Sequence, residues 1–106
     1  MLIEERCYVL HAEYTPAMYL EAYRQTGALD LQMKTLGNLL GYFVTEIGEL
    51  NAIVHLWGYD SFEERARRRA LLSAEPVWTD YLTKIRPMLK SMNNRLLTPT
   101  DFSPIH

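Results

Sequence analysis

The chain has 106 residues, a formal net charge of −2, and is 48% hydrophobic and 23% charged. That length fits a single domain, able to bury roughly 65% of the surface its unfolded form exposes, and the acidic balance gives nucleic acid no general electrostatic footprint. No apolar run reaches the roughly 20 residues of a membrane span, and Cys7, the only cysteine, has no partner for an intrachain disulfide. The opening Met-Leu-Ile-Glu-Glu-Arg carries acids where a targeting segment would be basic. The expectation is a cytoplasmic protein with neither a nucleic-acid nor a membrane partner.

Leu2 to His11 alternates, with Glu4, Arg6, Tyr8 and Leu10 on one face and Ile3, Glu5, Cys7 and Val9 on the other, which predicts a strand. Thr15-Pro16 then reads as a helix start: threonine is a good N-cap, and proline at the first helical position gives up an amide that had no partner. Met18, Tyr19, Ala22 and Tyr23, then Leu29, Met33 and Leu36, recur at helical spacing, with Gly27 placed to split the helix and Gly37-Asn38 to end it.

Leu39 to Ile47 and Ile53 to Tyr59 read as two strands joined by the turn Gly48-Glu49-Leu50-Asn51, an antiparallel hairpin. Ser61-Phe62-Glu63-Glu64 is a capping box that opens a helix from about Phe62 to Ser73. Pro76 opens another, with Val77, Trp78, Tyr81, Leu82 and Ile85 as its apolar face and Pro87 as its stop. Met92 to Thr98 reads as a last strand, followed by an irregular tail. The order β-α-β-β-α-α-β predicts an α+β fold: a ferredoxin-like four-stranded antiparallel sheet with helices on one face.

Both hairpin strands are apolar on two faces. Ile53, His55, Trp57 and Tyr59 oppose Val54, Leu56 and Gly58; Leu40, Tyr42 and Val44 oppose Leu39, Phe43 and Ile47. Such strands are buried on both sides, yet the helices can cover only one. Leaving the other, with its aromatics, in water would exceed the apolar patch monomers expose. A homodimer through the sheet, closing two sheets face to face, is the simplest cover.

Motifs for chemistry are sparse. The chain holds no phosphate loop, no His-Glu-x-x-His helix and no Cys-x-x-Cys pair, and His11, His55 and His106 share no ligand spacing. The expectation is therefore no metal and no cofactor. Cys7 reads as a buried structural thiol. Arg65, Arg67, Arg68 and Arg69 read first as a solvated face pairing with Asp60, Glu63 and Glu64, and second as a site for an anionic ligand or acidic partner. Glu46 reads as a hairpin carboxylate facing solvent rather than an acid/base group. Trp78, Tyr81 and Ile85 read as core.

Gly37-Asn38-Leu39, Gly41-Tyr42-Phe43-Val44-Thr45-Glu46-Ile47-Gly48 and Val54-His55-Leu56-Trp57-Gly58-Tyr59-Asp60-Ser61 together resemble the central block of the NIPSNAP family. The arginine-rich helix, Pro76-Val77-Trp78 with Tyr81, and the tail from Pro99 to Pro104 fit as well, so the resemblance spans nearly all of 1–106 as one NIPSNAP-like domain. It implies a dimeric α+β barrel. That superfamily includes cofactor-independent monooxygenases, haem-handling enzymes, isomerases of small ring compounds and proteins without known activity, among which fold does not choose.

Two classes of function follow. One is a dimeric binding or interaction protein with a small apolar pocket in each subunit. The other is a cofactor-independent enzyme, a monooxygenase or isomerase of a small aromatic or lipid-like substrate, which would need a polar pair such as His55 with Arg6 or a tyrosine. Any ligand site is placed around His55, an imidazole in an otherwise apolar strand. Trp57, Tyr42 and Tyr59 would line it, and Arg6 and Tyr8 would donate to an anionic or carbonyl group. The plainer alternative is a core histidine satisfied by a tyrosine or by its mate across the dimer. Register alone decides which sheet face these six residues share, and the smallness of Gly58 suggests helices pack on the face opposite His55.

Overall fold

The computed structural model describes residues 1–106. The elements run β1 (Leu2–Leu10), α1 (Pro16–Gln25), α2 (Ala28–Leu36), β2 (Leu39–Val44), β3 (Ala52–Tyr59), α3 (Phe62–Ser73), α4 (Pro76–Ile85), a 3₁₀ turn (Arg86–Met88) and β4 (Leu89–Leu97). All pairings are antiparallel and the strand order is β2-β3-β1-β4, the arrangement of a ferredoxin-like sheet.

The local signals act as the sequence dictates. Thr15 Oγ1 accepts from the Met18 amide at 3.2 Å, and Ser61 Oγ accepts from the Glu64 amide at 3.1 Å. Gly27, with φ of +83°, separates α1 from α2, and Gly37, with φ of +89°, stops α2. The Glu64 carboxylate, however, does not reach back to complete its capping box; it pairs with Arg67 and Arg68.

Two strands depart from expectation. β2 ends at Val44 rather than Ile47, and its register with β3 slips between Leu39 and Gly41. One extra residue there rotates the strand, so Leu39 joins Tyr42 on the core side while Leu40 comes within reach of Gly58 on the other. β4 begins at Leu89 rather than Met92. It is an edge strand, exposed along most of its length, so no burial-driven alternation marks its start.

Register places Glu4 opposite Trp57, Arg6 opposite His55 and Tyr8 opposite Ile53, with Tyr42 across from His55 on the far side of β3. This is the helix-covered face. Tyr8, Ile53, Trp57 and Tyr59 bury there in one core with Tyr19, Tyr23, Leu72, Tyr81 and Ile85. The suggestion drawn from Gly58 is thus reversed: helices lie over His55, and Gly58 is on the open face, where a Cβ would meet Asn38 and Met1 at 2.6 Å. The aromatics of β3 need no partner to leave water. The open face presents Cys7, Val9, Val54 and Leu56, half-buried, and Phe43, 52% exposed, beside the Glu5–Arg95 ion pair. Cys7 is accordingly half-buried, not the fully buried thiol expected. No helix is long and apolar enough to cross a membrane.

Candidate functional site

A cavity of about 190 Å³ lies between the helix-covered face of the sheet and the helices above it. Alternation along β1 brings Arg6 and Tyr8 to it, and β3 brings His55. Spacing along α4 brings Trp78, Tyr81 and Ile85, while α1 contributes Tyr19 and α3 contributes Arg69.

His55 is 1% exposed. The indole N–H of Trp57 donates to its Nδ1 at 2.7 Å. An indole nitrogen only donates, so Nδ1 is the accepting nitrogen and the neutral ring carries its hydrogen on Nε2. Tyr42 stacks on the ring at 4.5 Å between centroids, and Tyr8 meets it edge-on at 5.0 Å. Nε2 is buried and has no hydrogen-bond partner in the chain. Desolvation foremost, then the nearby Arg6 charge, lowers the imidazole pKa to about 3. At neutral pH the ring is therefore an uncharged N–H donor.

Beside it lies a buried charge cluster. The Glu4 side chain is fully buried. Its Oε2 accepts from Arg6 Nη1 at 3.0 Å, Arg65 Nη2 at 2.8 Å and Asn94 Nδ2 at 2.6 Å, and its Oε1 accepts from Arg65 Nε at 3.2 Å. Burial alone would push this carboxyl up; hydrogen bonds from Arg65 and Asn94 and the charges of Arg6 and Arg69 outweigh it and hold the pKa at about 2. Arg6 also donates from Nε to the Tyr8 hydroxyl at 2.8 Å, which fixes both side chains at the cavity wall. Tyr81 donates to Tyr19 at 2.8 Å, and Tyr23 donates to Gln32. Burial raises the pKa of Tyr19, Tyr23, Tyr42 and Tyr81, so these phenols stay protonated.

All six residues singled out from the sequence lie on this one face. Arg6, Tyr8 and His55 line the cavity; Trp57, Tyr42 and Tyr59 do not. Trp57 sits behind His55 as its donor, Tyr42 covers the ring and borders a second, apolar groove with Leu20, Leu29 and Met33, and Tyr59 is buried farther along β3. Glu4, Arg69 and the α4 aromatics complete the site. Of the acids expected to pair with the arginine run, Asp60, Glu63 and Glu64, only Glu64 takes part, holding Arg67 and Arg68. Arg65 and Arg69 turn inward to Glu4. The signal for that was present: residues 65 and 69 are four apart, on one helical face, and Glu4 shares the strand face of Arg6. Glu46 is exposed in the hairpin loop.

The NIPSNAP family model matches residues 3–104. A NIPSNAP family protein with unknown function from Agrobacterium tumefaciens superposes with a TM-score of 0.92 at 42% identity, over 100% of this chain and 94% of that one. An uncharacterized NIPSNAP-like domain protein from Burkholderia xenovorans superposes with a TM-score of 0.87 at 46% identity, over 97% and 88%. A NipSnap homolog of Dictyostelium discoideum is 41% identical over 64% of this chain, a match that spans 30% of that protein's length. A putative antibiotic biosynthesis monooxygenase from Nitrosomonas europaea shares the fold alone, with a TM-score of 0.67 at 9% identity over 93% of this chain and 98% of that one. Since the family pattern runs from the start of β1 into the tail, through every strand and helix that builds the cavity, the chain belongs to the NIPSNAP family.

Proposed function

We propose that this NIPSNAP domain binds a small, largely apolar or aromatic molecule in the cavity between sheet and helices, and that it does so as a homodimer joined through the open face of its sheet. The observation that carries the first part is the Nε2–H of His55, a buried donor without a partner on a residue that lines the cavity. Leaving such a group unmet costs about 1–3 kcal/mol, and a ligand oxygen would recover that. The volume suits a single substituted ring: a cavity of about 150 Å³ holds benzene. Trp78, Tyr81, Leu82 and Ile85 supply apolar and aromatic walls.

The enzyme reading is the weaker one. A proton-abstracting residue works best with a pKa near the operating pH, whereas His55 is held neutral with its hydrogen on Nε2 and the tyrosines are pushed up. The likeness to monooxygenases at 9–13% identity concerns the fold alone.

Benzyl alcohol, one ring with one hydroxyl, is a suitable probe. At ten times its Kd it would stabilise the protein by about 1.4 kcal/mol, a rise in Tm of roughly 6–11 °C for a domain of this size. A saturable rise is expected; a flat or falling Tm across the soluble range would reject the reading. For the dimer, half-buried Val9, Val54 and Leu56 with exposed Phe43 form the surface a second copy would cover. Light scattering should give twice the 12.4 kDa chain mass, and a monomer at micromolar concentration would rule it out.

A further inference from the structure

We infer that the cavity selects an organic anion, a small aromatic or apolar carboxylate whose head group sits between Arg69, Arg6 and His55. This rests on the binding reading above and adds the charge of the ligand. Around Glu4 stand three guanidiniums, Arg6 at 3.0 Å, Arg65 at 2.8 Å and Arg69 at 3.8 Å. One carboxylate against three cations leaves two positive charges in excess, on side chains only 14%, 18% and 25% exposed. None of the three has an ion pair with any other carboxylate.

Glu4 does not make up the shortfall. Its Oε2 takes three donors, from Arg6, Arg65 and Asn94, and its Oε1 takes Arg65 Nε. Arg69 is the one left over. Its Nη1 is buried, lies 3.8 Å from Glu4 Oε1, beyond hydrogen-bonding reach, and makes no hydrogen bond in the chain; the nearby Tyr59 hydroxyl is likewise unpartnered. His55 Nε2 is in the same condition on the same cavity. Two unmet buried donors, one of them a cation, on a wall with excess positive charge describe the complement of a carboxylate. Beside the polar Gln32, Ser73 and Arg86, most of the remaining wall is aromatic and aliphatic, through Trp78, Tyr81 and Ile85 among others, which fits an organic acid better than a bare inorganic ion.

The test compares near-isosteres on the full chain by titration calorimetry. Benzoate and benzamide differ mainly in charge. Benzoate is expected to bind about tenfold or more tightly than benzamide, the usual margin of one charge-assisted hydrogen bond. Arg69→Gln should bring the two within about twofold by weakening benzoate the more, and Lys84→Gln, on the exposed side of α4, should change neither. The benzoate-to-benzamide ratio in the unaltered protein needs no variant, so it holds even if Arg69→Gln fails to fold. Equal affinity for both would overturn the anion assignment and leave the binding reading standing. Binding of neither would overturn both. Inorganic phosphate matching benzoate would show a general anion site and overturn selection for an organic acid.

Discussion

Trp57 donates its indole N–H to Nδ1 of His55 across 2.7 Å of buried core, and that contact decides where the imidazole keeps its proton. Both residues lie on the same face of β3, two positions apart, so the pairing is built into strand geometry. The consequence is a donor at Nε2 facing away from Trp57.

Trp57→Phe should therefore do two things. It removes a donor from a buried acceptor, costing at least about 2 kcal/mol with the packing loss included, measurable by urea unfolding. It also frees the ring to exchange tautomers. In ¹⁵N spectra the native protein should show one tautomer, protonated at Nε2, and the variant a mixture. An unchanged tautomer signature in the variant would mean that something other than Trp57 sets it.

Stability should fall on acidification in two windows. His55 has a folded pKa near 3 against an ordinary value near 6.5, so below 6.5 the unfolded chain binds the additional proton and stability drops as pH falls. By pH 5 the loss is about 2 kcal/mol. Glu4, at about 2 against 4.5, has the same sign but acts lower, between about 4.5 and 2. His55→Gln should flatten the curve between pH 6.5 and 4.5 and leave the steeper acid limb. A slope between pH 6.5 and 5 that survives the substitution would assign it elsewhere.

Glu4 ties β1 to α3 and β4 through Arg65 and Asn94. Glu4→Gln should cost about 3–5 kcal/mol, since it leaves buried guanidiniums without their counter-charge. Arg67→Gln breaks only an exposed, solvent-screened pair with Glu64 and should barely move the midpoint. Denaturant midpoints that failed to separate the two would contradict the assignment of Glu4 as the cluster's centre.

Gly37 is required by backbone as well as space. Its φ of +89° is one that side chains rarely adopt, and a Cβ would stand 2.4 Å from Arg68 Nη1, which donates to the Leu36 carbonyl. Gly37→Ala should destabilise by about 1–3 kcal/mol, more than Arg68→Ala, which loses the hydrogen bonds without the strain. The reverse order of melting temperatures would show that Arg68, not the backbone, dominates there.

Much of this fold was legible because its signals are local. Thr15-Pro16, Gly27, Gly37 and Ser61 each act within a turn, and the alternation of β1 by itself puts Glu4, Arg6 and Tyr8 on one face. The bulge at Leu39/Gly41 escaped because an extra residue in a uniformly apolar strand leaves no mark on its pattern. The start of β4 escaped because an exposed edge strand has no burial to alternate. Gly58 does not mark the helix-covered face, because its smallness answers to Asn38 and Met1 rather than to a helix. In the site, the shared helical face of Arg65 and Arg69 is legible, but Arg65 and Glu4 are 61 residues apart, and only the packing of α3 over the sheet brings that face to that carboxylate.

Isotope-filtered nuclear Overhauser contacts from bound benzyl alcohol to the labelled protein would show whether a ligand sits in the cavity over His55. The expected result is contacts from the ring to Trp78, Tyr81 and Ile85, together with a downfield shift of the His55 Nε2 proton as it gains an acceptor. Contacts confined to Leu20, Leu29 and Met33 in the second groove, or to Phe43 on the open sheet face, with the His55 proton unmoved, would contradict it.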